Sequence, residues 1–234
     1  MSRARLRAAL ASRATGEGAV VPLIGAHAAR LEQVSEAQFR ADPEMQARAL
    51  RNAQALYATD AVTVGAALDT LAAAVRSLPE PRPEPARVLA QAAVATECEA
   101  MRRLRPVLAE RAGIAIALPG AARLAARLGA PEAEPWCAAL LLAAARHYCT
   151  LEPDLLIVVG APAGPRLAAV CTHFGVAFVQ LAESPPPGVS AVPGAAWVDE
   201  IAGKAKAWLY TTTSEIPADA DPRAVKAAID ALRS

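Results

Sequence analysis

Two pairs of soft residues, His147 with Cys149 and Cys171 with His173, could bind a metal, because imidazole nitrogen and thiolate sulfur are the usual zinc ligands. Within a helix, residues two apart project about 200° away from each other, so neither pair can chelate while helical. Both pairs end helix-like runs, "EPWCAALLLAAARHYC" and "PRLAAVCTH", just ahead of apolar strands. Zinc held by all four would require both helix ends to unwind side by side. The simpler reading is small buried thiols, with imidazoles near helix C-termini where a cation is favoured. That reading is adopted here with no metal and no cofactor assigned, and zinc is kept as the alternative.

A second group follows apolar, strand-like runs. His27 and Arg30 come after "AVVPLI", and an imidazole there could give or take a proton near neutral pH. Asp69 lies shortly after "DAVTVG" in an early helical turn, and Glu183 directly follows "VAFVQLA". His27, Asp69 and Glu183 form the candidate catalytic set. Each also has a plainer reading, as a helix-capping histidine, a carboxylate decorating a helix, or a loop acid ahead of "SPPPG". Gly120 and Arg123 after "GIAIALP" offer helix N-terminal amides and a guanidinium, which suit a carboxylate or phosphate. With Arg30 and Thr212 they form the candidate ligand-binding set; Thr211, Thr213 and Glu215 could line the same last loop. Phosphate-binding glycine loops, nucleophile elbows and paired-carboxylate motifs do not occur.

These residues matter only if the elements bring them to one end of a sheet. Short apolar runs at 19–24, 60–65, 113–118, 154–160 and 176–183 alternate with long alanine-, leucine- and arginine-rich stretches at helical spacing. A weaker strand is expected in "AWVDEI", another at 207–213, and a loop in "ESPPPGVSAVPG". The proline-rich 78–86 stretch reads as an extended connector, Gly129 as a helix stop, and Asp221 with Pro222 as the cap and first position of a final helix. Continuous apolar strands alternating with helices predict a parallel sheet covered by helices. Six or seven strands in 234 residues fit a shortened or incomplete (β/α)8 barrel, TIM-barrel-like, in one domain over 1–234. Barrels of this kind place chemistry on the loops after the C-terminal strand ends. That rule favours the second group of residues over the His/Cys pairs.

The bulk numbers exclude several classes. A net charge of +1 and 4% aromatic residues give neither the electrostatic footprint nor the stacking surface of a nucleic-acid binder. No apolar run reaches the ~20 residues of a membrane span, and the arginine-bearing N-terminus lacks the apolar stretch of a secretory signal. Four cysteines without a dense framework read as reduced thiols. The expectation is a cytoplasmic protein without nucleic-acid or membrane partners.

Three segments resemble the uroporphyrinogen decarboxylase superfamily. The opening 5–65 has a short helix, a "VP" strand, a "DPE" helix start and a strand beginning "TDAVTV"; the middle has "GIAIALPGAARLAARLG"; the end has "LYTTTSEIPADADPRAVKAAIDALRS". The resemblance implies a (β/α)8 barrel, a dimer, and either a haem-pathway decarboxylase or a zinc-dependent methyltransferase that acts with corrinoid proteins. The chain departs from the decarboxylase pattern. Its arginine-rich stretch after the first strand is here Gly25-Ala26-His27-Ala28-Ala29-Arg30, and its aspartate after the second is displaced to Asp69. The cysteine expected of the methyltransferases ahead of the closing turn is replaced by Thr211, Thr212 and Thr213. Ordinary decarboxylase activity is therefore not expected. The expectation is a divergent member that binds a tetrapyrrole, a corrinoid-linked group or another carboxylated small molecule. A corrinoid-carrier motif is absent from the chain, so any cobalamin would arrive on a partner. The alternatives are a zinc-dependent methyltransferase and a non-catalytic barrel serving as a binding or stabilising subunit. A shortened barrel exposes sheet edges, which a homodimer or a partner subunit would cover.

Overall fold

In the computed structural model, residues 2–13, 18–160, 164–182, 185–204 and 206–233 are described. The first helix, α1 (Ser2–Ser12), leads to β1 (Ala19–Val21), followed by α2 (Ala26–Leu31), α3 (Glu36–Ala41) and α4 (Pro43–Tyr57). Ser35 and Gln38 form a capping box for α3. Asp42 caps α4 by accepting from the Glu44 and Met45 amides, with Pro43 at the first helical position where a missing N–H costs nothing. Next come β2 (Ala61–Val64), α5 (Thr70–Arg76), α6 (Pro85–Leu89) and α7 (Ala92–Leu108). The 78–86 connector, expected as extended, instead bends over 78–82 and enters a helix at Pro85, since proline is well placed at a first turn.

The chain continues through β3 (Gly113–Pro119), α8 (Ala121–Leu128), α9 (Glu134–Cys149), β4 (Leu155–Val159), α10 (Pro165–His173) and β5 (Ala177–Leu181). Gly129 stops α8 in the left-handed conformation, as expected. The last part is β6 (Val189–Val192), α11 (Trp197–Glu200), β7 (Leu209–Thr212) and α12 (Pro222–Ala231), with Asp221 accepting from the Arg223 amide.

Two expectations are corrected in this last part. The "VSAV" stretch, expected as loop, is a strand paired in parallel with β7. The "AWVDEI" stretch, expected as strand, forms a helical turn between two 3-10 turns. Trp197 and Ile201 lie four apart and are both fully buried, which is a helical and not a strand spacing.

All strand pairs are parallel and fall into two sheets, β6–β7–β1 and β2–β3–β4–β5. The sheets meet at β1 and β2 without a regular ladder, through the Asp60 amide donating to the Val20 carbonyl at 2.9 Å and the Thr63 hydroxyl donating to the Pro22 carbonyl at 3.2 Å. Their inner faces share one interior. The odd-numbered strand residues, among them Ala19, Val21, Ala61, Ala115, Ile157 and Leu181, pack together inside it. The even-numbered ones, such as Val20, Val62, Ile116 and Val158, pack outward against the helices. This period of two on strands buried on both faces accounts for the unbroken apolar sequences of β1, β3 and β4. The architecture is α/β and TIM-barrel-like; among the described residues β5 and β6 share no strand pairing, so no closed barrel ladder is found.

The interior is plugged at both ends. Helix α1 packs across β1, β2 and β3, and its Leu6 is fully buried inside the N-terminal end. Arg3 and Arg5 fix the helix there, reaching Asp154 at 3.1 Å and Asp60 at 3.5 Å. At the other end, Leu23, Ala66 and Leu68 join the interior cluster just past β1 and β2. Among the described residues no helix is long and apolar enough to cross a membrane.

Candidate functional site

The C-terminal mouth is built on glycines. Gly25, Gly65, Gly120, Gly160 and Gly194 follow β1, β2, β3, β4 and β6, and at Gly25, Gly65 and Gly194 backbone and side chains crowd where a Cβ would not fit. At Gly65 (φ +73°) a Cβ would sit 2.6 Å from the Ala117 carbonyl, and at Gly25 it would fall on the Glu215 carboxyl. Glu215 is seated between Gly25 and Gly194, and its carboxyl accepts from the Ala26 amide. Burial pushes that carboxyl up to about 7, against the bond from the amide and the nearby Arg40. An acid that holds its proton near neutral pH, at the end of a barrel strand, can give or take one there.

Beside it, Arg40 on α3 bridges the Asp69 and Glu36 carboxylates. Asp69 stands at the cap position of α5 but makes no capping bond; its carboxylate goes to Arg40. Below lies Glu97 of α7, 5% exposed. Its carboxyl accepts from the Thr70 hydroxyl and, at 2.6 Å, from the Tyr148 hydroxyl. Burial raises it to about 7 as well, and Asp69 adds to the rise. A cavity of about 30 Å³ lies among Gly65, Arg40, Asp69, Glu97, Glu215 and Gln46.

Arg123, on the first turn of α8, donates to the Thr213 carbonyl past β7 at 3.2 Å, spanning the mouth from the β3 side. Among the described residues no carboxylate pairs with it, and burial, with Arg127 nearby, lowers its pKa. A partly buried, uncompensated guanidinium at the working end of a barrel is suited to an anion, above all a carboxylate gripped by two N–H groups. Gly120 sits at the cap of the same helix, but its amide already donates to the Val159 carbonyl at 2.8 Å. The Thr212 hydroxyl accepts from the Leu23 amide at 3.0 Å and Thr211 donates to the Val21 carbonyl at 2.7 Å, so both side chains tie β7 to β1.

His27 was expected to face the opening, and the structure places it elsewhere. Its ring is 1% exposed, behind β1, because α2 turns that face toward α4. Nδ1 lies 3.2 Å from the Pro217 carbonyl, which can only accept, so Nδ1 carries the proton; Nε2 then accepts from the Tyr57 hydroxyl at 2.6 Å. Burial lowers its pKa and keeps it neutral. Arg30 is exposed on an outer groove with Gln33, Ser35 and Asp219, away from the carboxyl cavity. Glu183 lies outside the described residues, as do residues 161–163 of the "GAPAGP" loop. Of the expected residues, the structure thus brings Asp69 to the carboxyl cavity and Gly120, Arg123 and Thr212 to the mouth. Arg40, Gln46, Glu97 and Tyr148 were not expected. They lie on helices and do not follow a strand, so only tertiary packing delivers them.

The His/Cys pairs do not converge. The Cys98 thiol lies 3.4 Å from His147 Nε2, Cys149 and Cys171 face each other, and His173 is exposed, edge-on to Phe174. Among the described residues no three His, Cys, Asp or Glu side chains are placed to hold a metal ion. All four thiols are buried, in helices α7, α9 and α10.

The chain matches no protein-family profile and no curated protein by sequence. It is similar in structure to a methyltransferase from Methanosarcina mazei, with a TM-score of 0.75 over 99% of this chain and 98% of that one, at 14% identity. The TM-score over nearly the whole of both chains establishes a shared fold.

Proposed function

We propose that this protein binds a small carboxylated molecule at the C-terminal mouth of its barrel. Arg123 receives the carboxylate, and Glu215 is the group that holds or delivers a proton beside it. The observation that carries the reading is the Arg123 guanidinium, partly buried across the mouth with no carboxylate partner among the described residues. Leu23, Ala66 and Leu68 close the space beneath it. The cavity beside Glu215, about 30 Å³ and not lined by Arg123, is water-sized, so the carboxylate is placed at Arg123 outside it. A macrocycle would have to lie over the mouth and displace loops. The methyltransferase alternative is favoured by the neighbour's fold. The non-catalytic alternative is favoured by the hydroxyls of Thr211 and Thr212, which serve backbone carbonyls and amides where chemistry was expected.

The test is a calorimetric titration with succinate and propionate, and with uroporphyrinogen and cobalamin as competing ligands, on the wild type and Arg123→Leu. A hydrogen-bonded charge contributes roughly 1.5–3 kcal/mol. The substitution should therefore weaken carboxylate binding about 10- to 100-fold with folding unchanged. Equal affinities in the two proteins, or binding of the macrocycles alone, would refute this assignment.

A further inference from the structure

Gln46, on α4, is 5% exposed, and its Oε1 has no hydrogen-bond partner although it lines the mouth cavity. A buried carbonyl oxygen left unpaired costs about 1–3 kcal/mol, which is a reason to ask what it meets when the protein is at work. An oxygen of this kind can only accept, so its partner must bring an N–H or O–H. The charged groups facing the same cavity are mostly acceptors too. Arg40 comes from α3, Asp69 from the turn before α5, Glu97 from α7 and Glu215 from the segment after β7. That is three carboxyls around one guanidinium, and Arg40 already donates to Asp69 and, outside the cavity, to Glu36. Burial raises the proton affinities of Glu97 and Glu215, and the Asp69 carboxylate adds to both rises.

Size narrows the occupant. About 30 Å³ admits a single group the size of a water molecule. A water would satisfy Gln46 and leave the excess negative charge unanswered. A metal ion would need several oxygens at about 2.0–2.6 Å, and no three acid side chains among the described residues converge that closely. An ammonium group has the volume of water, one positive charge and three or four N–H donors that reach acceptors set farther apart.

We infer that the cavity bounded by Gln46, Asp69, Glu97 and Glu215 is a binding site for a small ammonium group, either the free ion or the head of a primary amine. This deepens the carboxylate reading, since a mouth with Arg123 for an anion and this cavity for a cation suits an amino-acid-like ligand. It rests on that reading only for the whole ligand.

The site is tested by thermal shift and calorimetry with ammonium chloride and methylammonium chloride, against potassium and sodium chloride at equal ionic strength. Ammonium should give a saturable rise in Tm that potassium and sodium do not. A matching effect of methylammonium identifies an amine head group, and an effect of ammonium alone identifies the free ion. Gln46→Leu and Gln46→Met, each checked by circular dichroism, should weaken the effect at least 10-fold. Arg123→Leu should leave it intact, so a failure here is distinguishable from a failure of the carboxylate site. A response no larger than that to potassium chloride, as a single buried water would give, overturns the assignment. So does an equal response to potassium, or an undiminished one in a folded Gln46 variant.

Discussion

Exchange of Glu97 for glutamine is expected to stabilise the protein by about 2–3 kcal/mol at pH 8 and to leave it close to wild type at pH 5. Glu97 is buried, and its carboxyl is pushed up to about 7 while the unfolded chain keeps the ordinary value of 4.5. A folded value raised above the unfolded one means that the native state holds a proton the unfolded state has released. The stabilisation from this group is complete below about 4.5 and is lost as pH rises through 7. At roughly 1.4 kcal/mol per unit, the loss by pH 8 is of order 3 kcal/mol. Glutamine has the same shape, cannot ionise, and retains polar atoms for the hydroxyls of Thr70 and Tyr148. Urea unfolding midpoints from pH 5 to 8 measure this directly. About half of the downward slope should persist in Glu97→Gln, because Glu215 is raised to a similar value. A variant less stable than wild type at pH 8, or one with an unchanged slope, would mean that Glu97 is ionised and well paired in the fold.

The second large effect is at Trp197. Trp197→Ala should cost about 3–5 kcal/mol, as expected for emptying a fully buried aromatic site. Trp197→Phe should cost about 1 kcal/mol or less, since the indole N–H has no hydrogen-bond partner to lose. Chemical denaturation of both variants decides the matter. A mild alanine variant would show that the 194–203 segment does not close the core between β6 and β7.

That segment also shows what the sequence conceals. Strands β1, β3 and β4 were legible because each is buried on both faces and apolar without interruption, and β2, β5 and β7 because their apolar runs are broken only by Thr63, by Gln180 and by Thr211 and Thr212. Strand β6 was not, because Ser190 and Ala191 dilute it and prolines flank it, whereas parallel pairing with β7 is set by tertiary contact. Trp197, Val198 and Ile201 have strand-like side chains, and only the spacing of four between the buried pair gives the helix away. At the site, Asp69, Arg123 and Glu215 could be picked out because they follow strands. Gln46 and Glu97 read as ordinary helix residues, since burial of a polar side chain depends on which neighbour covers it. His27 misled for the opposite reason: its position after β1 was right, but the turn of α2 aims it outward at Tyr57 and Pro217.

The central claim is that ligand meets the protein at the C-terminal mouth. The glycines report on it without perturbing it, because they mark both ends of the strands. Gly25, Gly65, Gly120, Gly160 and Gly194 follow strands, while Gly18, Gly113, Gly175 and Gly188 precede or begin them. In 15N-glycine-labelled protein titrated with succinate, amide shifts should concentrate in the first set and vanish in Arg123→Leu. Shifts confined to the second set, or spread equally over both, would contradict the account.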